Sequence, residues 1–77
     1  MDFIVKKTGG VQVIERFKHR YGKGYTEFCR QWDEEMGKYG YFVRDIRNGS
    51  VVEERDHSYS RNQVYQEYLD GKNTFEY

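Results

Sequence analysis

An internal repeat constrains the fold of this chain more than any other feature of the sequence. When the 77 residues are compared with themselves at an offset of 39 positions, residues 3–16 align with residues 42–55. The coinciding pairs are Phe3 and Phe42, Ile4 and Val43, Gly10 and Gly49, Val13 and Val52, Glu15 and Glu54, and Arg16 and Arg55. At an offset of 40, residues 25–28 coincide with residues 65–68. A repeat of this kind indicates that one supersecondary unit is used twice.

The first unit is predicted to begin with a β-hairpin. Residues 2–8 contain an apolar run typical of a strand, and Gly9-Gly10 suits a two-residue turn because both residues tolerate positive φ. Residues 11–18 then form the return strand. Residues 11–21 also have apolar side chains at helical spacing, and a helix there would give the element order of winged-helix proteins. The glycine turn and the matching segment of the second unit favour the strand.

The second unit contains a stronger hairpin signal. Residues 41–47 lead into Asn48-Gly49, the dipeptide most typical of a two-residue hairpin turn, and the return strand is predicted over residues 50–57. Counting outwards from this turn predicts the register. The expected cross-strand pairs are Ile46 with Val51 and Arg44 with Glu53.

Each unit is predicted to end in an amphipathic helix. Residues 25–36 carry an apolar stripe at helical spacing, formed by Tyr25, Phe28, Cys29, Trp32 and Met36. Gly37 would end this helix, and its stripe places Trp32 in the core. The second helix begins at Ser60, which forms a capping box with Gln63, and ends at Gly71. Its apolar face comprises Val64, Tyr65, Tyr68 and Leu69.

These elements predict an α+β fold in a single domain, residues 1–77. The architecture is a tandem ββα pseudo-repeat with halves 1–38 and 39–77. A four-stranded antiparallel sheet with both helices on one face is the simplest arrangement that buries both apolar stripes. The opposite face of the sheet would then be open.

Composition and charge limit the class of protein. Aromatic residues make up 18% of the chain, proline and alanine are absent, and Leu69 is the single leucine, so the core must be rich in aromatic and β-branched side chains. Residues 1–30 contain seven basic and three acidic side chains, whereas residues 31–77 contain six and ten. The net charge of zero argues against a dedicated nucleic-acid-binding protein. A lone Cys29 and a short N-terminal apolar run predict a cytoplasmic protein without a membrane span.

No combination of residues predicts catalysis, a metal site or a cofactor. Asp56-His57-Ser58 has the residue types of a hydrolase triad, but neighbouring residues on a strand point to opposite faces. His19, Cys29 and His57 lack the spacing of metal ligands. We therefore expect a protein that is not an enzyme.

Tyrosine and arginine are the residues most indicative of function, because both are enriched at binding hot spots. Eight tyrosines exceed what the predicted core needs. The predicted partner-binding residues are Tyr39, Tyr41, Arg44, Arg47, Arg55 and Tyr59. A basic set near the N-terminus is predicted to contact phosphate or an acidic partner, and it comprises Lys6, Lys7, Arg16, Lys18, Arg20 and Lys23.

The function predicted from these features is that of a small protein-binding module. In size and composition the chain resembles the accessory proteins of phages and mobile elements, among them anti-CRISPR proteins. That resemblance rests on no motif, and it implies an inhibitor of a host protein or defence complex. Homodimerisation through the open sheet face is compatible with this interpretation. The alternative is a nucleic-acid-binding domain that uses the sheet face and the N-terminal basic patch.

Overall fold

A computed structural model of the protein describes residues 10–20 and 22–75, the side chain of residue 75 excepted. The described elements are four strands, β1 (Gln12–Lys18), β2 (Gly24–Asp33), β3 (Lys38–Arg47) and β4 (Ser50–Ser58), and one helix, α1 (Arg61–Phe75). The strands form an antiparallel sheet in the order β1-β2-β3-β4, each next to its neighbour in sequence. Helix α1 packs against β2, β3 and β4. The fold is α+β, as predicted.

The tandem ββα repeat is wrong, because the described part of the chain contains one helix instead of two. Residues 24–33, most of the predicted first helix, form strand β2 in the middle of the sheet. Strand β2 has buried side chains on both faces of the sheet, so its apolar residues do not alternate cleanly with polar ones. Phe28 and Cys29 are both fully buried on opposite faces of β2. Two-sided burial therefore produced a pattern that resembles a helical stripe.

Residues 12–18 form a strand, which removes the winged-helix alternative. Strand β1 pairs with β2 from Gln12↔Arg30 to Lys18↔Tyr25, with a bulge between Val13 and Glu15. The predicted strand over residues 2–8 lies outside the described residues, as does Gly9 of the predicted turn.

The second hairpin is confirmed, with one shift of register. Asn48 and Gly49 both have positive φ, 54° and 79°, and Arg47 pairs with Ser50 across them. Ile46 pairs with Val51 as predicted, but Arg44 pairs with Glu54 instead of Glu53. An irregularity in the ladder between Asp45 and Ile46 accounts for the difference, since an extra residue on one strand moves all later pairs by one.

Substitution of Gly49 by valine tests the turn. A β-branched residue at a φ of 79° is strained, so we expect a loss of about 1–3 kcal/mol in the free energy of unfolding. Urea denaturation measures this loss. Ser50→Val is the matched control, because Ser50 is an exposed strand residue without positive φ and its replacement should cost little. Equal stability of the two variants would contradict the turn geometry.

Helix α1 starts as predicted and ends later. The amide of Gln63 donates to Ser60 Oγ at 3.4 Å, and the amide of Val64 donates to the Ser60 carbonyl at 3.2 Å. The helix continues through Gly71 to residue 75, so glycine at this position does not end it. Val64 and Tyr68 are buried and Tyr65 and Leu69 half-buried, which confirms the predicted apolar face.

The core lies between α1 and one face of the sheet. Its buried members are Phe17, Phe28, Val43, Val64 and Tyr68. Phe28 is the centre of an aromatic cluster, with its ring centroid 5.1 Å from that of Tyr65 and 5.7 Å from that of Tyr68. Along β2, residues 26, 28, 30 and 32 face the side on which the helix lies, and we call this the helix-side face. Within the described residues, no helix is long and apolar enough to cross a membrane.

Candidate binding surfaces

An exposed aromatic cluster lies on the helix-side face, near the turn that joins β2 to β3. Trp32 is 41% exposed, and its ring meets that of Tyr39, its cross-strand neighbour, edge to face at a centroid distance of 5.1 Å. The guanidinium carbon of Arg30 lies 4.0 Å from the centroid of the Tyr39 ring. We call Arg30, Trp32 and Tyr39 the aromatic patch. Its side chains are held in place by one another while part of the tryptophan faces solvent.

The turn beside the aromatic patch is fixed by Asp33. Its side chain accepts a hydrogen bond from the amide of Met36 at 3.2 Å, and its carbonyl accepts one from the amide of Gly37 at 2.8 Å. The Tyr59 hydroxyl also donates to the Asp33 carboxylate, and this hydrogen bond raises the pKa of Tyr59 to about 12. Met36 is 53% exposed in this turn, so an apolar side chain is presented next to the aromatic patch.

The structure does not bring the six predicted partner-binding residues together on one surface. Tyr39 belongs to the aromatic patch, whereas Tyr59 contacts the neighbouring cross-strand pair, with its hydroxyl on Asp33 and the Lys38 ammonium 4.8 Å above its ring. Tyr41 is half-buried and stacks on Phe28, with its centroid 5.9 Å away, so it contributes to the core. The three arginines lie elsewhere in the sheet.

Two of those arginines are held by carboxylates. Arg44 donates to Glu27 Oε1 from Nη2 at 2.7 Å and from Nε at 3.0 Å. Arg55 contacts Asp45, with Nη2 to Oδ2 at 3.2 Å, and it also donates to Asp56 at 3.2 Å. A partner would have to displace these ion pairs. Arg47, by contrast, is exposed at the turn between β3 and β4.

The face of the sheet opposite α1 is a packed layer of charged and apolar side chains. The Glu27 side chain is only 6% exposed, and Arg44 is its cross-strand neighbour. Burial lowers the pKa of the Arg44 guanidinium, but the hydrogen bond to Glu27 and the charges around it outweigh that effect, so the net direction is upwards. Cys29 and Phe42 are fully buried on this face, and the His57 ring stacks on Phe42. The tyrosine-rich open face expected from the sequence is therefore not found here.

The Cys29 thiol is predicted to be unreactive and to make stability sensitive to alkaline pH. Burial raises its pKa from 9.0 to about 12, and the opposing effect of Arg44 is smaller. In the unfolded chain the thiol ionises first, so the unfolded state binds fewer protons and stability falls as the pH rises from 9.0 towards about 12. We expect a thiol reagent at pH 8 to modify Cys29 only after unfolding. Between pH 8 and pH 10, the wild type should lose more stability than Cys29→Ala, and an equal loss would contradict this explanation.

Basic side chains gather at the opposite end of the sheet from the aromatic patch. The amide of Asn48 donates to the Lys23 carbonyl at 3.3 Å, which places the turn between β3 and β4 beside that between β1 and β2. This contact brings Arg47 close to Lys23. Arg16 and Lys18 line a shallow depression with Tyr25 on the face opposite α1. We call the set Arg16, Lys18, Arg20, Lys23 and Arg47 the basic end.

The basic end thus contains four of the six residues predicted to contact phosphate or an acidic partner. Its fifth member, Arg47, was not in that predicted set. Lys6 and Lys7 lie outside the described residues. Arg16 Nη1 is 3.9 Å from Glu27 Oε2, but the Arg16 side chain remains 64% exposed. The basic end therefore presents positive charge to solvent.

A buried hydrogen-bond chain crosses the sheet and was not predicted. His19 Nε2 lies 2.7 Å from Thr26 Oγ1, and the Thr26 hydroxyl donates to Asp45 Oδ1 at 2.7 Å. Because that hydroxyl proton points to Asp45, His19 Nε2 must act as the donor to Thr26. Thr26 is 1% exposed, so the chain connects the residue that follows β1 with β2 and β3 in the interior. Its residues are far apart in sequence, and only the register of the strands brings them together.

The sequence did not predict the aromatic patch either, because the helical stripe places Trp32 in the protein core. Arg30 and Trp32 on one strand and Tyr39 and Tyr41 on the next have the alternation of a hairpin around Gly37. That alternation is the signal that would have revealed the patch. In the Asp56-His57-Ser58 segment, Asp56 has a positive φ of 61° and its carboxylate accepts a hydrogen bond from Arg55 at 3.2 Å. In the described part of the chain, no group of three His, Cys, Asp or Glu side chains converges into a metal site.

Comparison with protein-family models, curated proteins and solved structures found no match. The function is therefore inferred from the geometry of these surfaces.

Proposed function

We propose that this protein is a non-catalytic protein-binding module that contacts its partner through the aromatic patch. The observation that carries this proposal is Trp32, which is 41% exposed although it is the only tryptophan of a small domain. Tryptophan, tyrosine and arginine are the residues most enriched at protein-binding hot spots, and the patch contains one of each. Met36 in the adjacent turn adds a residue type that is also enriched at interfaces.

The rigidity of the patch supports the same function. Tyr39 is held between the edge of Trp32 and the guanidinium of Arg30. Side chains that are already ordered lose little conformational entropy when a partner covers them, so more of the contact energy remains as affinity. Inhibition of a host protein, which the resemblance to phage accessory proteins implies, is one form of this function.

An affinity pull-down from host lysate, treated with nuclease and read by mass spectrometry, tests the proposal. We expect a protein that is retained stoichiometrically by the wild type and lost with Trp32→Ala, since removal of a hot-spot tryptophan costs about 2 kcal/mol or more of binding free energy. Val52→Ala is the matched control, because Val52 is a 58% exposed apolar residue on β4, away from the patch. Equal retention by both variants would refute the role of the patch.

Nucleic-acid binding is the second candidate function, and the basic end favours it. Two strands, β1 and β3, and the turn between β1 and β2 contribute its positive side chains, and Tyr25 offers an aromatic ring beside Arg16 and Lys18. Binding of this kind is strongly salt-dependent, because each neutralised phosphate releases counterions. Titration of a single-stranded oligonucleotide at two salt concentrations tests this function, with Lys23→Ala and Arg47→Ala expected to flatten the salt dependence. Binding that does not change with salt would exclude it.

A further inference from the structure

A groove on the helix-side face brings two arginines together. It has a volume of about 550 Å³ and is lined by Gln12, Val13, Ile14, Arg30 and Arg61. Gln12 and Arg30 are cross-strand neighbours on β1 and β2, whereas Arg61 is the first residue of α1. The groove therefore lies between the start of β1 and the start of the helix.

Both guanidinium groups are positioned by aromatic rings. Arg30 lies over Tyr39, and its Nε donates to Gln12 Oε1 at 2.7 Å. The guanidinium carbon of Arg61 is 5.7 Å from the centroid of Phe28 and 5.9 Å from that of Tyr65. A cation held over an aromatic face does not use its in-plane N–H groups for that contact, so those other than Arg30 Nε–H, which Gln12 accepts, stay available as hydrogen-bond donors.

Neither arginine is neutralised by a carboxylate within the described residues. The ion pairs of the sheet use Arg16, Arg44 and Arg55. The Glu15 carboxylate, on the same face of β1, accepts a hydrogen bond from the Tyr65 hydroxyl at 3.1 Å, and among the described residues it forms no ion pair with Arg30 or Arg61. The first turn of α1 contains no acidic residue. The groove thus presents two guanidinium groups next to the positive end of the helix dipole.

We infer that this groove binds the phosphate group of a small organic phosphomonoester. A phosphate with close to two negative charges at neutral pH matches two guanidinium groups, whereas a single carboxylate needs only one. The volume exceeds that of a phosphate ion and lies in the range of small-molecule sites. Ile14, which is 38% exposed, offers an apolar side chain for the organic part of the ligand.

NMR titration of the full ¹⁵N-labelled chain tests this site without the protein partner. The probes are adenosine monophosphate, phosphotyrosine and inorganic phosphate, with adenosine as the uncharged control. We expect both phosphomonoesters to shift the Nε–Hε signals of Arg30 and Arg61 and to bind more tightly than inorganic phosphate. Adenosine should leave these signals unchanged. The two phosphomonoesters distinguish a nucleotide from a phosphorylated aromatic ring as the preferred ligand.

Charge-removing variants complete the test. Arg61→Gln changes an exposed residue and should weaken phosphomonoester binding at least about tenfold, because a hydrogen bond between charged groups is lost. Arg30→Gln should have a similar effect, and Lys72→Gln in the last turn of α1 is the control that should have none. Equal weakening by all three variants, or shifts confined to the basic end, would show unspecific attraction and overturn the proposal. Binding of inorganic phosphate as tight as that of the esters would also overturn it. These results do not depend on whether the aromatic patch binds a protein.

Discussion

Replacement of Phe28 by alanine is expected to unfold most of the protein. Phe28 is fully buried, and its ring packs against Tyr41, Tyr65 and Tyr68. Loss of a buried phenylalanine costs about 3–5 kcal/mol, through lost burial of apolar surface and the cavity that remains. A domain of this size has a total stability near the lower end of the usual range of about 5–15 kcal/mol. Circular dichroism during urea denaturation measures the loss.

Trp32→Ala is the matched control for Phe28→Ala. Both residues lie on β2, point to the helix-side face and are aromatic, but Trp32 is 41% exposed and its described ring contact is with Tyr39. We expect this variant to lose about 1 kcal/mol, the size of one aromatic pair at a partly exposed site. If Trp32→Ala were as destabilising as Phe28→Ala, the tryptophan would belong to the core and the aromatic patch would not exist as described.

Replacement of Glu27 by alanine is expected to be the most damaging change on the opposite face. Glu27 is 5% exposed and accepts two hydrogen bonds from Arg44. Removal of one partner from a buried ion pair leaves the other charge without compensation, at a cost of about 3–5 kcal/mol. Because the Arg44 side chain is 19% exposed, we expect the loss in the free energy of unfolding to lie near the lower end of that range. Urea denaturation at neutral pH measures it.

A double variant distinguishes the lost ion pair from lost packing. Glu27→Leu combined with Arg44→Met removes both charges and keeps most of the buried volume. Such replacements are often neutral because two desolvated charges disappear together. We therefore expect the double variant to be more stable than Glu27→Ala. If both were equally unstable, the shape of the glutamate would matter more than its charge.

The second half of the fold could be predicted from the sequence because its signals are local. Asn48-Gly49 sets the turn between β3 and β4, and Ser60 with Gln63 sets the start of α1. These signals depend on a few neighbouring residues, and tertiary contacts do not override them. The end of α1 was predicted four residues too early, because Gly71 is tolerated inside a helix whose apolar face is already buried.

The identity of β2 could not be predicted because it depends on partners distant in sequence. Tyr25, Phe28, Cys29 and Trp32 fit a helical stripe, and only the pairing of β2 with β1 and β3 shows that Phe28 and Cys29 lie on opposite faces of a sheet. As a result, the sequence predicts Trp32 in the core, whereas the structure places it at the surface. Tyr41 and Arg44 were assigned to a binding surface for the same reason, since the pairing that buries Tyr41 on Phe28 and Arg44 on Glu27 follows from the position of β2.

The affinity of the purified protein for its captured partner tests the central claim most directly. It should be measured by calorimetry for the wild type, for Trp32→Ala and for Arg47→Gln, each shown to be folded. The aromatic patch predicts that Trp32→Ala weakens binding about 30-fold or more, whereas Arg47→Gln changes it little. The opposite result, with normal affinity for Trp32→Ala and a large loss for Arg47→Gln, would place the binding surface at the basic end and contradict the claim.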